Sequence, residues 1–172
     1  PTNFGFEDIE PQIKSSFDNA KQKLAENGFN VVEINVPALD LYKKVPLWQF
    51  AAVESQTEYF EAYNDKKHLM DPNILRRMDR ANDVLAVEYN LLLNIRKKLI
   101  KEFNNFLKNN FLLLPTVTIY PPLLEDCKDE PYYDEVNLIS LRNTTLANYM
   151  NGCSISLPYS KDDKPIGIML NG

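Results

Sequence analysis

The fold is indicated most clearly by one apolar run, Phe111-Leu112-Leu113-Leu114-Pro115-Thr116-Val117-Thr118. The run lies between Asn109-Asn110 and the turn-forming sequence Tyr120-Pro121-Pro122. A short, continuous apolar run between such turn residues is typical of a strand that is buried on both faces. The sequence therefore predicts a strand over this run that other parts of an α/β fold cover on both faces.

The pattern around this run predicts further helices and strands. Pro11 suits the first turn of an amphipathic helix, and Gly28 suits the position just after its end. Asp71-Pro72 is a good start for a short helix. Periodicity predicts helices over 11–27, 47–63, 83–108 and 139–150, strands over 31–36, 154–159 and 166–170, a long acidic surface loop over 123–136 and a charged turn over 160–164.

Composition limits the class of protein. A chain of 172 residues can bury one compact core, and we expect a single domain over residues 1–172. The net charge of -5 and the mixing of positive with acidic residues disfavour nucleic-acid binding. No apolar run approaches the ~20 residues that a bilayer span needs, and no signal pattern is present at the start. With only Cys127 and Cys153, no disulfide scaffold is expected, so a soluble, cytoplasmic protein with reduced thiols is predicted.

The nucleophilic side chains form no recognisable catalytic pattern. Lys14-Ser15-Ser16 holds a lysine and two serines, but helical neighbours point about 100° apart and cannot converge on one atom. The five glycines are isolated from one another, so no glycine-rich turn can cradle an oxyanion, and a Gly-x-Ser-x-Gly elbow is absent. Cys153 is interpreted as a buried, inert thiol and His68 as a surface residue. We therefore predict no catalytic residue in this chain.

Metal and cofactor sites are not predicted either. The acidic residues of 125–135 lack the spacing and the turn glycine of a calcium loop, and they are interpreted as a solubilising surface. No Cys/His cluster has zinc spacing. We predict no metal site and no cofactor.

The order of motifs resembles the C-terminal part of amidase signature enzymes. Leu114-Pro115-Thr116 is similar to the end of the family's "DVLLxPT" strand, and the run from Arg142 through Asn148 to Pro158 resembles its "R-x-T-x-x-x-N-x-x-x-x-P-x-x-x-x-P" pattern. Residues 165–172 stand where the family has "GLPVGLQLIG". Cys153-Ser154, Lys164 and Asn171 depart from these patterns.

The resemblance implies the C-terminal part of an α/β/α sandwich with a mixed β-sheet. It also implies that the parent protein hydrolyses the carbon–nitrogen bond of linear amides through an acyl-serine intermediate, with a lysine and two serines that have no matching positions here. The chain would then be a fragment, inactive alone, that needs the N-terminal portion of the same enzyme and acts there on a small-molecule amide. Low solubility or a homo-oligomer is expected from exposed sheet edges. The pocket candidates that the resemblance suggests are Tyr120, Arg142, Thr145, Asn148 and Cys153.

Two alternatives stay open. The chain could be a non-catalytic, amidase-like interaction domain or an amidotransferase A-type subunit. Arg142, near the start of an otherwise apolar and hydroxyl-bearing helix, could be a structural clamp on backbone carbonyls or a contact to substrate, because a partly buried guanidinium must find partners.

Overall fold

The computed structural model describes residues 1–159 and 164–172. These residues form two compact units, one made of 1–40 with 99–172 and the other of 41–98. The single-domain assignment stays a prediction. In chain order the helices and strands are α1 (Pro11–Glu26), α2 (Pro37–Tyr42), α3 (Leu47–Glu58), α4 (Phe60–Asp65), α5 (Pro72–Asp79), α6 (Ala86–Leu107), β1 (Leu112–Pro115), α7 (Glu130–Tyr149), β2 (Ser154–Pro158) and β3 (Gly167–Asn171).

The sheet of the first unit has three strands in the order β1-β3-β2. Both pairs are antiparallel, with Leu114 and Ser156 opposite Met169 on either side. The α/β class is confirmed. The pairs among the described strands are antiparallel only, so the parallel pairs of a mixed sheet remain a prediction.

The two faces of this sheet differ in what covers them. Ile13, Phe17 and Ala20 of α1 form a buried cluster with Ile166 and Ile168. On the opposite face, Leu112, Leu114 and Met169 are at most 3% exposed. Alternation along the strands places these three on one side. The predicted burial of the 111–118 run on both faces is therefore correct for β1, whereas Phe111 is 74% exposed.

The residues that the sequence pattern predicts to cap helices do lie at helix ends in the structure. The Asp71 carboxylate accepts hydrogen bonds from the backbone N–H groups of Asn73 and Ile74, so the predicted cap of α5 is confirmed. Gly28 has φ +88° just after α1, a conformation that glycine adopts without a steric penalty. The predicted helix over 47–63 is interrupted at Tyr59 and forms α3 and α4.

The predicted strand over 31–36 is wrong. The segment forms no β-ladder with another strand. The Thr2 N–H donates one backbone hydrogen bond to the Ile34 carbonyl, and one such bond does not make a strand pair. At Val36 the Asn3 side chain replaces a partner strand by donating to the carbonyl (3.0 Å) and accepting from the N–H (3.1 Å). Val32 and Ile34 are 63% and 43% exposed, so the β-branched residues lack a face to pack on.

The predicted loop over 123–136 is also partly wrong, since α7 begins at Glu130. The Asp129 carboxylate accepts from the backbone N–H of Tyr132, and Pro131 occupies the first turn. These are strong helix-start signals that the acidic composition of the segment obscured.

The predicted strands over 154–159 and 166–170 correspond to β2 and β3, whereas the turn over 160–164 lies outside the described residues apart from Lys164.

The second unit is helical. The Tyr63 hydroxyl donates to Asp79 (2.5 Å) and accepts from the Asn82 amide (3.1 Å), which ties α4 to the end of α5. The rings of Phe50 and Tyr89 meet edge to face at 5.6 Å and connect α3 to the start of α6.

Candidate functional site

Arg142 on α7 is occupied by contacts inside the first unit. Its guanidinium donates to the backbone carbonyl of Glu7 (2.6 Å) and to the Asp8 carboxylate (2.7 Å). Asp8 itself has a positive φ of 54°, a conformation that a non-glycine residue adopts only when its surroundings hold it. These bonds favour the structural clamp over substrate contact as the role of Arg142, and the substrate role stays a prediction.

Tyr120 follows β1 and is half-buried. Its backbone N–H donates to the Glu10 carboxylate (2.8 Å), which fixes the chain where it leaves the strand. The Lys164 ammonium lies 4.4 Å from the centre of its ring, within the range of a cation–π contact.

The other candidates lie in different settings. Thr145 is half-buried on α7 and Asn148 is exposed near its end. Cys153 exchanges backbone hydrogen bonds with Gly172 at 3.0 and 2.9 Å, which extends the β2–β3 ladder by one pair. Its thiol is free and the residue is exposed, so the predicted burial of this cysteine is wrong, because β2 is an edge strand.

The lysine and the two serines of α1 that the sequence pattern excludes from catalysis lie in different settings in the structure. Lys14 pairs with Asp18 at 3.1 Å, Ser15 is exposed and Ser16 is buried. His68 is exposed, as predicted. Within residues 1–159 and 164–172, no group of three or more His, Cys, Asp or Glu side chains could hold a metal ion.

Of the predicted candidates, Tyr120 borders a groove of about 560 Å³ in the first unit. The groove lies where β1 and β2 end, next to α7. Its lining consists of Ile13, Thr116, Val117, Ile119, Tyr120, Pro121, Pro122, Ser140, Ser156, Pro158, Pro165, Ile166 and Gly167. Arg142, Thr145, Asn148 and Cys153 are not part of it.

The polar feature of the groove is a pair of hydroxyl groups. Thr116 Oγ1 and Ser156 Oγ are 2.6 Å apart and hydrogen-bonded. Across the described residues, neither hydroxyl has a hydrogen bond to a lysine, histidine or carboxylate side chain, the contacts that activate a nucleophile. The pair can bind a ligand by hydrogen bonds, but the contacts that would generate an attacking alkoxide are not among those described.

The sequence pattern does not single out Thr116, Ser156 or Gly167 as site residues. Alternation along β2 does place Ser154 and Ser156 on one face, and Thr116 directly follows Pro115 of β1. Only the strand order, with β3 between β1 and β2, brings these hydroxyls together. No local pattern carries that information.

None of the helices in the described part of the chain combines the length and apolar character that crossing a membrane requires. Apart from the Tyr120 phenol, none of the described side chains that line the groove is ionisable, and the Lys164 ammonium lies over the Tyr120 ring. The groove therefore offers hydrogen bonds and apolar contacts to a ligand.

Comparison with known proteins gives a consistent result. The Amidase family model matches residues 1–172. The 2-amino-5-chloromuconic acid deaminase of Comamonas testosteroni is 30% identical over 184 residues, which cover 100% of this chain and 38% of the deaminase.

Solved structures show the same fold at lower identity. The allophanate hydrolase of Kluyveromyces lactis superposes with a TM-score of 0.78 at 24% identity, over 95% of this chain and 27% of that protein. A bacterial aryl acylamidase of the amidase signature family gives 0.68 at 18% identity, over 98% and 37%. The A-type subunit of the Thermotoga maritima glutamyl-tRNA(Gln) amidotransferase gives 0.67 at 18% identity, over 96% and 36%.

The chain thus spans less than two fifths of the length of each of these relatives. The match of the family model over every residue is decisive, and the shared fold agrees with it. The chain belongs to the amidase family, the amidase signature enzymes.

Proposed function

We propose that this chain is the C-terminal portion of an amide hydrolase and is inactive without the portion that carries the catalytic lysine and serines. The observation that supports this most directly is the family match over residues 1–172 in a chain that corresponds to 38% of the deaminase. The motif order resembles the end of the family's sequence, and the sequence holds no glycine-rich and serine-rich segment.

The reaction we propose for the whole enzyme is hydrolysis of a carbon–nitrogen bond in a small, linear amide. The relatives include a deaminase, an allophanate hydrolase and an aryl acylamidase. In the family mechanism, lysine and a bridging serine activate a second serine, which forms an acyl-enzyme that water releases. This chain would supply strands of the sheet and a wall of the acyl pocket, with Tyr120 on that wall.

The partner that we propose is the catalytic portion of the same enzyme, and the surface that it covers includes the outer edge of β2. All residues of β2 are exposed, including Ile155 at 57% and Leu157 at 47%. An exposed edge strand presents unpaired N–H and C=O groups, which another strand can satisfy. Edge strands also pair with further copies, which supports the expected homo-oligomer of the isolated chain. A cytoplasmic location remains part of the proposal and is supported by the free cysteines.

Complementation tests this proposal. The Comamonas deaminase would be truncated to remove the part that matches this chain, and this chain would be added in trans or joined to the truncated protein. We expect ammonia release above that of either part alone, and a loss of the gain when a lysine replaces Ile155 on the β2 edge. The same lysine at Ser154 controls for charge without removing an apolar contact.

Two results would contradict the proposal. One is serine-dependent amide hydrolysis by this chain alone. The other is a stable complex with no turnover in any pairing, while the intact deaminase is active in the same assay, which would favour the interaction-domain alternative.

A further inference from the structure

Three of the five glycines in this chain follow an asparagine, in the pairs Asn27-Gly28, Asn151-Gly152 and Asn171-Gly172. Asparagine is chemically vulnerable in such a pair, because glycine has no Cβ to obstruct attack by its own backbone nitrogen on the neighbouring side-chain carbonyl. The attack closes a succinimide ring only when that nitrogen is released from its hydrogen bond. The surroundings of each pair therefore decide how fast it reacts in the folded chain.

The pair Asn171-Gly172 is held in the sheet. Asn171 is 1% exposed, and its amide donates to the Leu112 carbonyl at 3.3 Å. The Gly172 N–H donates to the Cys153 carbonyl at 2.9 Å, in the pair that extends the β2–β3 ladder. Releasing this nitrogen requires the sheet to open, and core elements open at a free energy close to that of global unfolding. The fold protects this pair.

The pair Asn151-Gly152 follows α7 and is exposed, but its glycine lies against the end of the sheet. The Gly152 N–H donates to the carbonyl of the buried Ala147 at 3.0 Å. A Cβ added at Gly152 would be 2.9 Å from the Gly172 carbonyl oxygen. Releasing this nitrogen disturbs a packed contact, so the pair is partly protected.

The pair Asn27-Gly28 ends α1 and has open surroundings. Asn27, Gly28 and the following Phe29 are all exposed. The Gly28 N–H donates to the Ala25 carbonyl at 3.0 Å, within the last turn of the helix. Apart from the chain neighbours of Gly28, no atom lies within 4 Å of a Cβ built on it. A helix end without packing frays at little cost, so this nitrogen is released more often than the other two.

We propose that Asn27-Gly28 is a spontaneous deamidation site and that it reacts before the other two pairs in the folded chain. The Gly28 backbone nitrogen forms a bond to Asn27 Cγ, and the Cγ–Nδ2 bond breaks. The side-chain nitrogen leaves as ammonia and carries away the proton of the Gly28 N–H. Water then opens the succinimide at either of its carbonyl carbons, which gives aspartate or isoaspartate at position 27.

The product alters the end of α1. The Asn27 amide donates to the Lys23 carbonyl at 2.8 Å, and a carboxylate in its place cannot donate. A negative charge at the C-terminal end of a helix is also disfavoured by the helix dipole. Isoaspartate adds a methylene group to the main chain as well. Deamidation should therefore loosen the last turn of this helix.

The competing explanation is that the dipeptide alone sets the rate, which predicts equal reaction at all three pairs in the folded chain. The experiment incubates the chain at physiological temperature and mildly alkaline pH, once folded and once in concentrated urea. Peptide mapping by mass spectrometry then follows each pair, since the product is heavier by the difference between a hydroxyl and an amino group. Electron-transfer fragmentation distinguishes aspartate from isoaspartate.

We expect Asn27 to react several-fold faster than Asn151 in the folded chain, and Asn171 to stay unmodified. In urea the rates of the three pairs should converge, because the hydrogen bonds and contacts that separate them are lost. Asn30 is the internal control, because it is exposed in the same segment but precedes Val31, whose branched side chain obstructs the attack. It should stay unmodified under both conditions.

Variants separate the site from its consequence. Asn27→Gln keeps an amide on a longer side chain, so the product at this position should disappear while the rates at Asn151 and Asn171 stay unchanged. Asn27→Asp reproduces one product and should lower the melting temperature of the chain. Asn30→Asp adds the same charge away from the helix end and should lower it less.

The proposal is overturned if Asn151 or Asn171 reacts as fast as Asn27 in a chain that circular dichroism shows to be folded. It is also overturned if Asn27 stays unmodified, or if the same ranking persists in urea. The measurement needs no amide substrate and no catalytic portion. Its outcome is therefore independent of the proposed amide-hydrolase function.

Discussion

At the residue scale, Gly167 lies in the sheet at a position with no room for a larger side chain. We expect Gly167→Ala to lower the free energy of unfolding by about 1–3 kcal/mol, because the added methyl group would overlap the Thr116 and Ser156 hydroxyls. Urea denaturation measures the change. In a double-mutant cycle, Ser156→Ala should recover part of the loss. A purely additive cycle would show that the contact with Ser156 is not the cause.

Asn143 provides a second residue-scale prediction. This side chain is 1% exposed, and its amide donates to the carbonyls of Gly5 (3.0 Å) and Pro115 (2.8 Å). Asn143→Ala leaves two buried carbonyls without this donor, so we expect a loss of about 2–3 kcal/mol in urea denaturation. Asn137→Ala, at a half-buried asparagine of the same helix, is the matched control. Equal effects of the two substitutions would contradict the role of these bonds.

The Lys21–Glu33 pair connects α1 to the irregular segment that follows it. Lys21 donates to the Glu33 carboxylate at 2.6 Å, and this hydrogen bond lowers the pKa of Glu33 below its usual value of 4.5. A lowered carboxyl pKa in the folded state contributes stability above the unfolded pKa, and the contribution is lost as the pH falls through the folded value.

The pH prediction follows from that sign. At pH 7 we expect the melting temperature of the unsubstituted chain to be slightly higher than that of the Glu33→Gln variant. This difference should shrink below pH 4.5. Thermal melts over a pH series measure it. Both side chains are at least partly exposed, so high salt should reduce the difference as well. A difference that grew on acidification would be inconsistent with the pair.

At the element scale, the sequence predicted the elements that carry their own local signals. Asp71-Pro72 and Gly28 gave helix ends correctly, and apolar runs located β1, β2 and β3. The 31–36 segment is as rich in β-branched residues as the true strands, but it has no partner strand. Six residues of local sequence do not tell which other strand, if any, will pair with them. The hydroxyl pair was missed for the same reason, since it depends on which strands become neighbours.

The exposed β2 edge leads to a prediction for the isolated chain. We expect the isolated chain to self-associate, because Ile155 and Leu157 are exposed beside the unpaired backbone groups of the β2 edge. Ile155→Lys should reduce association in sedimentation velocity and change stability by no more than ~0.5 kcal/mol, since the position is on the surface. Ser154→Lys adds the same charge and keeps the isoleucine. A chain that is monomeric at every concentration would disprove the expectation.

At the scale of the whole molecule, the comparisons show the family of the chain, and its inactivity on its own is our proposal. The fold and the motif order are those of amidase signature enzymes over residues 1–172. Amide hydrolysis also requires a nucleophile, a base within reach and preorganised donors for the oxyanion. The isolated glycines of this sequence cannot form a glycine-rich nest for those donors. Among the serines, Ser156 is hydrogen-bonded to Thr116 and Ser15 is exposed to solvent.

We therefore expect the purified chain to be unreactive towards a fluorophosphonate and to hydrolyse hexanamide no faster than buffer does. Intact-mass spectrometry after exposure to the reagent measures the first, and ammonia release measures the second. A full-length amidase signature enzyme, such as the aryl acylamidase, serves as the positive control. Labelling at a single serine of this chain, abolished by its replacement with alanine, would show that the attacking hydroxyl lies within these 172 residues and that the proposed division of the enzyme is wrong.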